Sequence, residues 1–341
     1  MPRVAMLSFA HYHANFWTKQ FLELAEVTVA CIWDDDASRG QEAAARFGLR
    51  FEPNLDAAIA AADAVAICSE TRQHLPLALK AAAAQRAILC EKPTARSVTE
   101  AEAIAGAVAQ AGVLFMQSFP KRLDPVSHAL RRLVQEGVLG RIHTVRIRHG
   151  HYYGLDPDFG QRWYVRRDEA GGGALLDEGV HGADLLCWLF GLPCSVVATT
   201  SSAVLGLEVE ENATAVFSWA DGMTAELTAS FLFAAASDSV EVYGTTGTAL
   251  LAGVDLASRD ITPAPFLRVF AGGAERVWRA EDIVPRFKAG RFHHQNAIAF
   301  ARCLVEGALP PATIEDGRRA LLLIERAYAA AASGQRREIA G

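Results

Sequence analysis

The chain has 341 residues, 51% hydrophobic and 21% charged, with a formal net charge of −6 at pH 7. That length suits two domains with a core each. The acidic balance and the absence of Lys/Arg runs argue against a nucleic-acid partner, and no apolar run reaches the ~18–20 residues of a membrane span.

Up to about residue 120, short apolar runs at Val4–Ser8, Val27–Trp33, Ala64–Cys68, Ala87–Cys90 and Val113–Gln117 read as buried strands. Segments with helical spacing separate them: Ala14–Leu24, Ser38–Phe47, Leu55–Ala61, Gln73–Ala84 and Thr99–Gln110. Continuous apolar strands alternating with helices predict a doubly wound parallel sheet covered on both faces. After Pro120 the texture changes. A helix over Pro125–Glu136 is followed by strand-like runs at Ile142–His149, Val196–Val204, Ala213–Trp219, Met223–Ser230, Ser239–Tyr243 and Ala249–Leu251. One helix, about Gly179–Leu189, interrupts them, and two more, His294–Glu306 and Glu315–Ala332, end the sequence. Strands in series without helices between them predict a mostly antiparallel sheet.

The opening of the chain is a poor secretory signal and a good buried strand. The six cysteines, Cys31, Cys68, Cys90, Cys187, Cys194 and Cys303, form no C-x-x-C pair. They read as reduced thiols of a cytoplasmic protein, and no metal is expected.

The first loop, AMLSFAHYH (Ala5–His13), lies where a dinucleotide-binding chain carries G-x-G-x-x-G, and its three glycine slots hold Ser8, Ala10 and His13. Asp34, Asp35 and Asp36 end the second run, where a carboxylate accepts from the adenosine ribose hydroxyls; a solvated turn and helix N-cap read equally well. Asp34, nearest the strand, is the ribose candidate. At the end of the fourth run CEKP places Lys92 before Pro93, on a rigid turn that aims its ammonium; an isolated Lys-Pro pair is more often a surface loop. Within Gly171–Gly191, GGGALLDEGVHGADLLCWLFG, Asp177 and His181 stand four residues apart, which on one helix puts them on one face as an acid/base pair. A helix cap at Asp177, a satisfied core histidine, or half of a zinc site are the alternatives.

EKP, GGGALLDEGVHGADLLCWLFG, the later EVYGTTGTALL, the terminal PPATIEDGRRALLLIERAYAAAASG and the junction-like KRLDPVSHALRRLVQEGVLGRIHTVR together resemble the Gfo/Idh/MocA family of sugar and polyol oxidoreductases, nearly end to end. The resemblance implies an α/β chain: an N-terminal Rossmann domain over 1–121 and a C-terminal α+β domain over 122–341 with an open, mostly antiparallel sheet, the last helices being free to pack back on the first domain. It implies an NAD cofactor, with NADP possible, and a homodimer or homotetramer. Lys92, Asp177 and His181 are then the catalytic set, with Pro93 in a turn that often follows a cis peptide.

Cofactor contacts are expected from Ser8, Phe9, Ala10, His11, Tyr12, His13, Asp34, Asp35, Ser69, His74, Glu91 and Lys92. Substrate contacts are expected from Lys92, Arg122, Tyr152, Trp163, Asp177, His181 and His294, with His149–Tyr153, Arg162, Tyr164 and His293 as further candidates, on loops around 150–170 and 285–296. The resemblance implies hydride transfer between the nicotinamide cofactor and a secondary hydroxyl of a sugar, polyol (inositol-like) or related cyclic compound. The alternatives are glycoside cleavage through transient oxidation, and a non-catalytic dinucleotide sensor.

Overall fold

The apolar runs of the first third form a five-stranded sheet whose inner residues, such as Val4–Leu7, are fully buried. The structure is a computed structural model that describes residues 1–233, 238–252, 267–278 and 292–339. The chain divides into two units, residues 1–120 with 293–318, and residues 121–292 with 319–341.

In the first unit β1 (Arg3–Leu7), β2 (Thr28–Trp33), β3 (Ala64–Ile67), β4 (Ala87–Cys90) and β5 (Phe115–Gln117) pair in parallel, in the order β2-β1-β3-β4-β5. An isolated parallel bridge, Ile32 to Phe51, extends the β2 edge. The connections are α1 (His13–Glu23), α2 (Ala37–Phe47), α3 (Leu55–Ala60), α4 (Thr71–Ala83) and α5 (Val98–Ala111). Three of the helices start where the sequence supplies a cap, because Asp36, Asn54 and Ser97 accept from N–H groups of the first turn. α1 and α4 are the exceptions: their N-caps, Tyr12 and Glu70, offer no side-chain bond. The strand order reverses beside β1, and ligands of such sheets bind outside the carboxyl ends of the strands. This is the doubly wound Rossmann sheet the apolar runs predict.

In the second unit α6 (Pro125–Gln135) leads into β6 (Ile142–Gly150). Two one-turn helices, α7 (Arg167–Ala170) and α8 (Ala174–Asp177), precede α9 (Gly179–Phe190). Then come β7 (Ser195–Ser201), β8 (Asn212–Ser218), β9 (Thr224–Ser230), β10 (Asp238–Gly244), β11 (Gly247–Ala252), β12 (Leu267–Ala271), β13 (Ala274–Trp278) and, near the end, β14 (Arg337–Glu338). They build one nine-stranded sheet in the order β13-β12-β11-β10-β6-β9-β8-β7-β14. All its pairs are antiparallel except β6 with β9. α10 (Phe292–Glu306) and α11 (Ile314–Ser333) close the chain, and α11 passes from the first unit into the second.

Three local readings differ. The predicted strand Val196–Val204 stops at Ser201, and β12 to β14 appear where no strand is predicted. Asp177 and His181 do not share a helix: Asp177 ends α8, Glu178 intervenes, and His181 lies in the first turn of α9. The i, i+4 argument for that pair therefore does not apply. Residues 285–291 of the predicted specificity loop lie outside the described residues.

Gly182 explains how α9 reaches the sheet. A Cβ there would meet Leu227 Cδ1 at 2.4 Å and Ile147 Cγ2 at 3.1 Å, so a larger residue would have to displace the Leu227 side chain where the helix lies against β6 and β9. The close approach buries His181 beside it, 2% exposed.

Candidate active site

In the first unit every candidate cofactor residue follows the carboxyl end of a strand. Ser8 leaves β1 at φ 73°, the left-handed turn that glycine adopts without strain, so the loop keeps the glycine-type turn at a cost of order 1 kcal/mol. Its N–H groups are spent internally. Phe9 N–H donates to Asp34 Oδ2 at 2.7 Å, Ala10 N–H to Ser8 Oγ at 3.2 Å, His11 N–H to Cys68 O at 2.9 Å and His13 N–H to His11 Nδ1 at 3.2 Å. Rings then fill the third glycine slot. His13 packs against His11, Tyr12 and Phe16, and lies 3.7 Å from the His293 ring, centre to centre.

The three aspartates after β2 have three different jobs. Asp36 caps α2. Asp35 pairs with Arg39 at 2.9 Å. Asp34 is buried and takes the Arg39 fork, with Nη2 at 2.6 Å and Nε at 2.9 Å, together with the Phe9 and Asp36 N–H groups. Burial pushes the Asp34 carboxyl above its ordinary range, against the pull of Arg39. Arg39 also reaches Glu70 at 3.1 Å, so three carboxylates surround it. That ring of negative charge suits ribose hydroxyls and opposes a 2′-phosphate.

After β3 and β4 stand Ser69, His74, Glu91 and Lys92, all buried. His74 Nδ1–H donates to Pro93 O at 2.8 Å, which bears on the cis Lys92–Pro93 turn. Burial lowers the His74 pKa, so its ring is neutral at pH 7 with Nε2 as acceptor. The first loop, with the N–H groups of Phe9, Ala10, His11 and His13 engaged, does not offer the usual backbone cradle for a pyrophosphate.

In the second unit a polar network surrounds Asp177 and His181. Tyr153 O–H donates to Glu178 and lies 3.3 Å from Asp177 Oδ2. His149 Nε2 is 2.8 Å from Glu178 Oε2, and the His149 ring meets that of His181 edge-on at 5.0 Å. Glu178 is the residue the sequence reading missed, although it stands inside the quoted DEGVH. The N-terminal turn of α8 is fixed from far along the chain: the Glu210 carboxylate accepts from the Gly173 and Leu175 N–H groups and from Tyr328 O–H at 2.7 Å.

The predicted substrate residues divide. Arg122 is buried and forked onto Asp184, one turn beyond His181, at 2.7 to 3.2 Å. Trp163 stacks on Tyr164 at 4.0 Å, and Tyr152 is half exposed. His294 lies in the first unit, its ring 5.2 Å from Phe16.

Comparison with known proteins matches residues 6–119 to an oxidoreductase family with an NAD-binding Rossmann fold, and residues 127–250 to the GFO/IDH/MocA C-terminal domain. The 1,5-anhydro-D-fructose reductase of Ensifer adhaerens is 32% identical over 281 residues, 81% of this chain and 80% of the relative. The chain belongs to the Gfo/Idh/MocA oxidoreductase family. Levoglucosan dehydrogenase of Pseudarthrobacter phenanthrenivorans is 30% identical over 207 residues, 59% of this Gfo/Idh/MocA chain and 52% of the relative. In three dimensions a levoglucosan dehydrogenase solved with NADH and L-sorbose superposes with a TM-score of 0.86 at 22% identity, over 100% of this chain and 99% of that one. This Gfo/Idh/MocA oxidoreductase therefore carries an NAD-binding Rossmann domain, followed by the family's second domain. Among its described residues no helix is long and apolar enough to cross a membrane.

Proposed function

We propose that this oxidoreductase takes hydride from a secondary hydroxyl of a sugar, polyol or related cyclic substrate, with NAD as the preferred cofactor. What carries the reading is the burial of Lys92, Asp177 and His181, between 2% and 8% exposed, at the positions of the family's motif. Burying an ionisable side chain is costly, and such groups are either paired structurally or mark functional sites.

Bound NAD supplies the acceptor for the hydride that leaves the carbinol carbon. His181 takes the hydroxyl proton on a ring nitrogen as the carbonyl forms. Lys92 donates a hydrogen bond to the same oxygen and stabilises its developing charge. Asp177, steadied by Tyr153, holds a neighbouring hydroxyl. Asp34 and Asp35 would hold the adenosine ribose, and Ser69 and His74 would add further contacts to the cofactor. Purified protein with NAD or NADP, screened against polyols, aldoses and glycosides by absorbance of the reduced cofactor, tests the reading. Turnover on at least one polyol or aldose supports it; retained cofactor without turnover on any of them overturns it.

Cofactor choice follows from the Asp34–Arg39 fork. Asp34→Ser removes the ribose acceptor and frees the guanidinium for a phosphate. The KM for NAD is expected to rise about 10- to 100-fold, the worth of a charged hydrogen bond, while the KM for NADP falls. An unchanged ratio of the two removes Asp34 from the cofactor site.

We propose further that the protein is a homodimer or homotetramer. Val197 and Val216 pair across β7 and β8 on an exposed sheet face, 46% and 36% exposed. Val216→Lys is expected to lower the mass found by light scattering to that of a monomer; an unchanged oligomer would place the interface elsewhere.

A further inference from the structure

Glu91 is the least comfortable group in the first unit. It is 1% exposed, and among the described residues neither carboxylate oxygen makes a hydrogen bond. An ionised carboxylate so placed demands compensation by charge. Its ion-pair neighbour is His13, with Nδ1 at 3.3 Å from Oε2. His11 completes the group: one ligand atom from each of His11, His13 and Glu91 lies within 4.8 Å of the others, and all three residues are buried. The sheet order assembles them, since the loop after β1 is tied to the end of β3 through Cys68 and reaches Glu91 after β4.

We propose that His11, His13 and Glu91 bind a divalent transition-metal ion of the zinc class. Two imidazoles and a carboxylate are a borderline donor set that suits Zn²⁺, Co²⁺ or Fe²⁺ better than Mg²⁺ or Ca²⁺, which favour all-oxygen shells. The buried Cys68 and Cys90 lie outside the cluster. Three protein ligands leave a position for an oxygen donor, and the ion's charge serves an anionic oxygen where the loop N–H groups are already engaged. The His293 ring packs against that of His13, tilted by 33°.

The second such cluster, His149, His151 and Glu178, carries no proposal. Its carboxylate already accepts a hydrogen bond from Tyr153 O–H, unlike that of Glu91. A metal is unexpected from the sequence because metal sites are first sought among cysteines; here the donors are histidine and glutamate, brought together from two strand ends.

The test uses the purified full chain, stripped with chelator and titrated with Co²⁺ without cofactor or sugar, so its failure is separate from failure of the proposed reaction. The expected result is one Co²⁺ per chain with the visible absorption of a four- or five-coordinate site, displaced by Zn²⁺ and not by Mg²⁺. His13→Ala and Glu91→Gln, checked for folding by thermal melts, are each expected to weaken binding at least about 100-fold. Failure of the wild-type chain to saturate with Co²⁺ overturns the proposal. So does undiminished binding in both folded variants.

Discussion

Lys92→Met is expected to lower kcat by about 10²- to 10⁴-fold, and His181→Ala by a similar factor, with melting temperatures close to that of the parent chain. Methionine keeps the apolar stem of Lys92, which is 5% exposed at the end of β4, and removes only the ammonium. The charge acts on the oxygen in the transition state more than in the ground state, so kcat should fall with little change in KM. Loss of His181 should also remove the limb of the pH profile that reports the base, whereas Lys92→Met should keep that limb. The two residues belong to different units of the chain, so the double variant is the informative measurement. Groups that serve one proton transfer are strongly non-additive, and the double should be little worse than the poorer single. Near-parental kcat in either single variant, or strict additivity in the double, would defeat the assignment.

The legible parts of the molecule are those with local causes. Strands buried on both faces must be apolar throughout, which is why Val4–Leu7 and Ala64–Ile67 stand out by composition alone. The caps at Asp36, Asn54 and Ser97 are likewise written within a few residues of the helices they start. Illegible features have distant causes. The parallel pairing of β6 with β9 joins Ile147 to Leu227, and no local pattern announces a partner 80 positions away. β12 and β13 are short strands either side of a Gly272–Gly273 turn, too brief for alternation to reveal. In the candidate site Lys92, Asp177 and His181 stand out through motif, whereas their surroundings do not. Glu178 owes its role to His149 and Tyr153, and Glu210 reaches back to Gly173 and Leu175. Even the spacing of Asp177 and His181 misleads, because the chain resets at Glu178 and starts a second helix. His11 and His13 are visible as odd residues in a glycine loop, but their convergence on Glu91 depends on sheet order.

Asp184→Ala is expected to destabilise the fold by about 3–5 kcal/mol, the cost of leaving a buried guanidinium without its carboxylate. Arg122 and Asp184 are 7% and 1% exposed and are joined by a fork. The Arg122 guanidinium also lies 5.6 Å from the centre of the Trp188 ring, which Arg131 approaches at 4.7 Å. Removing the aspartate thus leaves a positive charge facing an aromatic ring and a second cation. The pair ties the entry of the second unit to the middle of α9, one turn beyond His181, so lost stability there should also loosen the base and lower kcat. A double replacement, Arg122→Met with Asp184→Leu, should recover much of the loss, since apolar residues of similar volume often replace a buried ion pair without penalty. Denaturant titration of the three chains measures both steps. The same series decides whether Arg122 contacts substrate, as the sequence suggests. If it is structural, the rescued double variant keeps its KM; if it binds a substrate hydroxyl, KM rises even where stability returns. An Asp184→Ala cost below about 1 kcal/mol would mean that the fork is solvated and that Arg122 is available to the substrate after all.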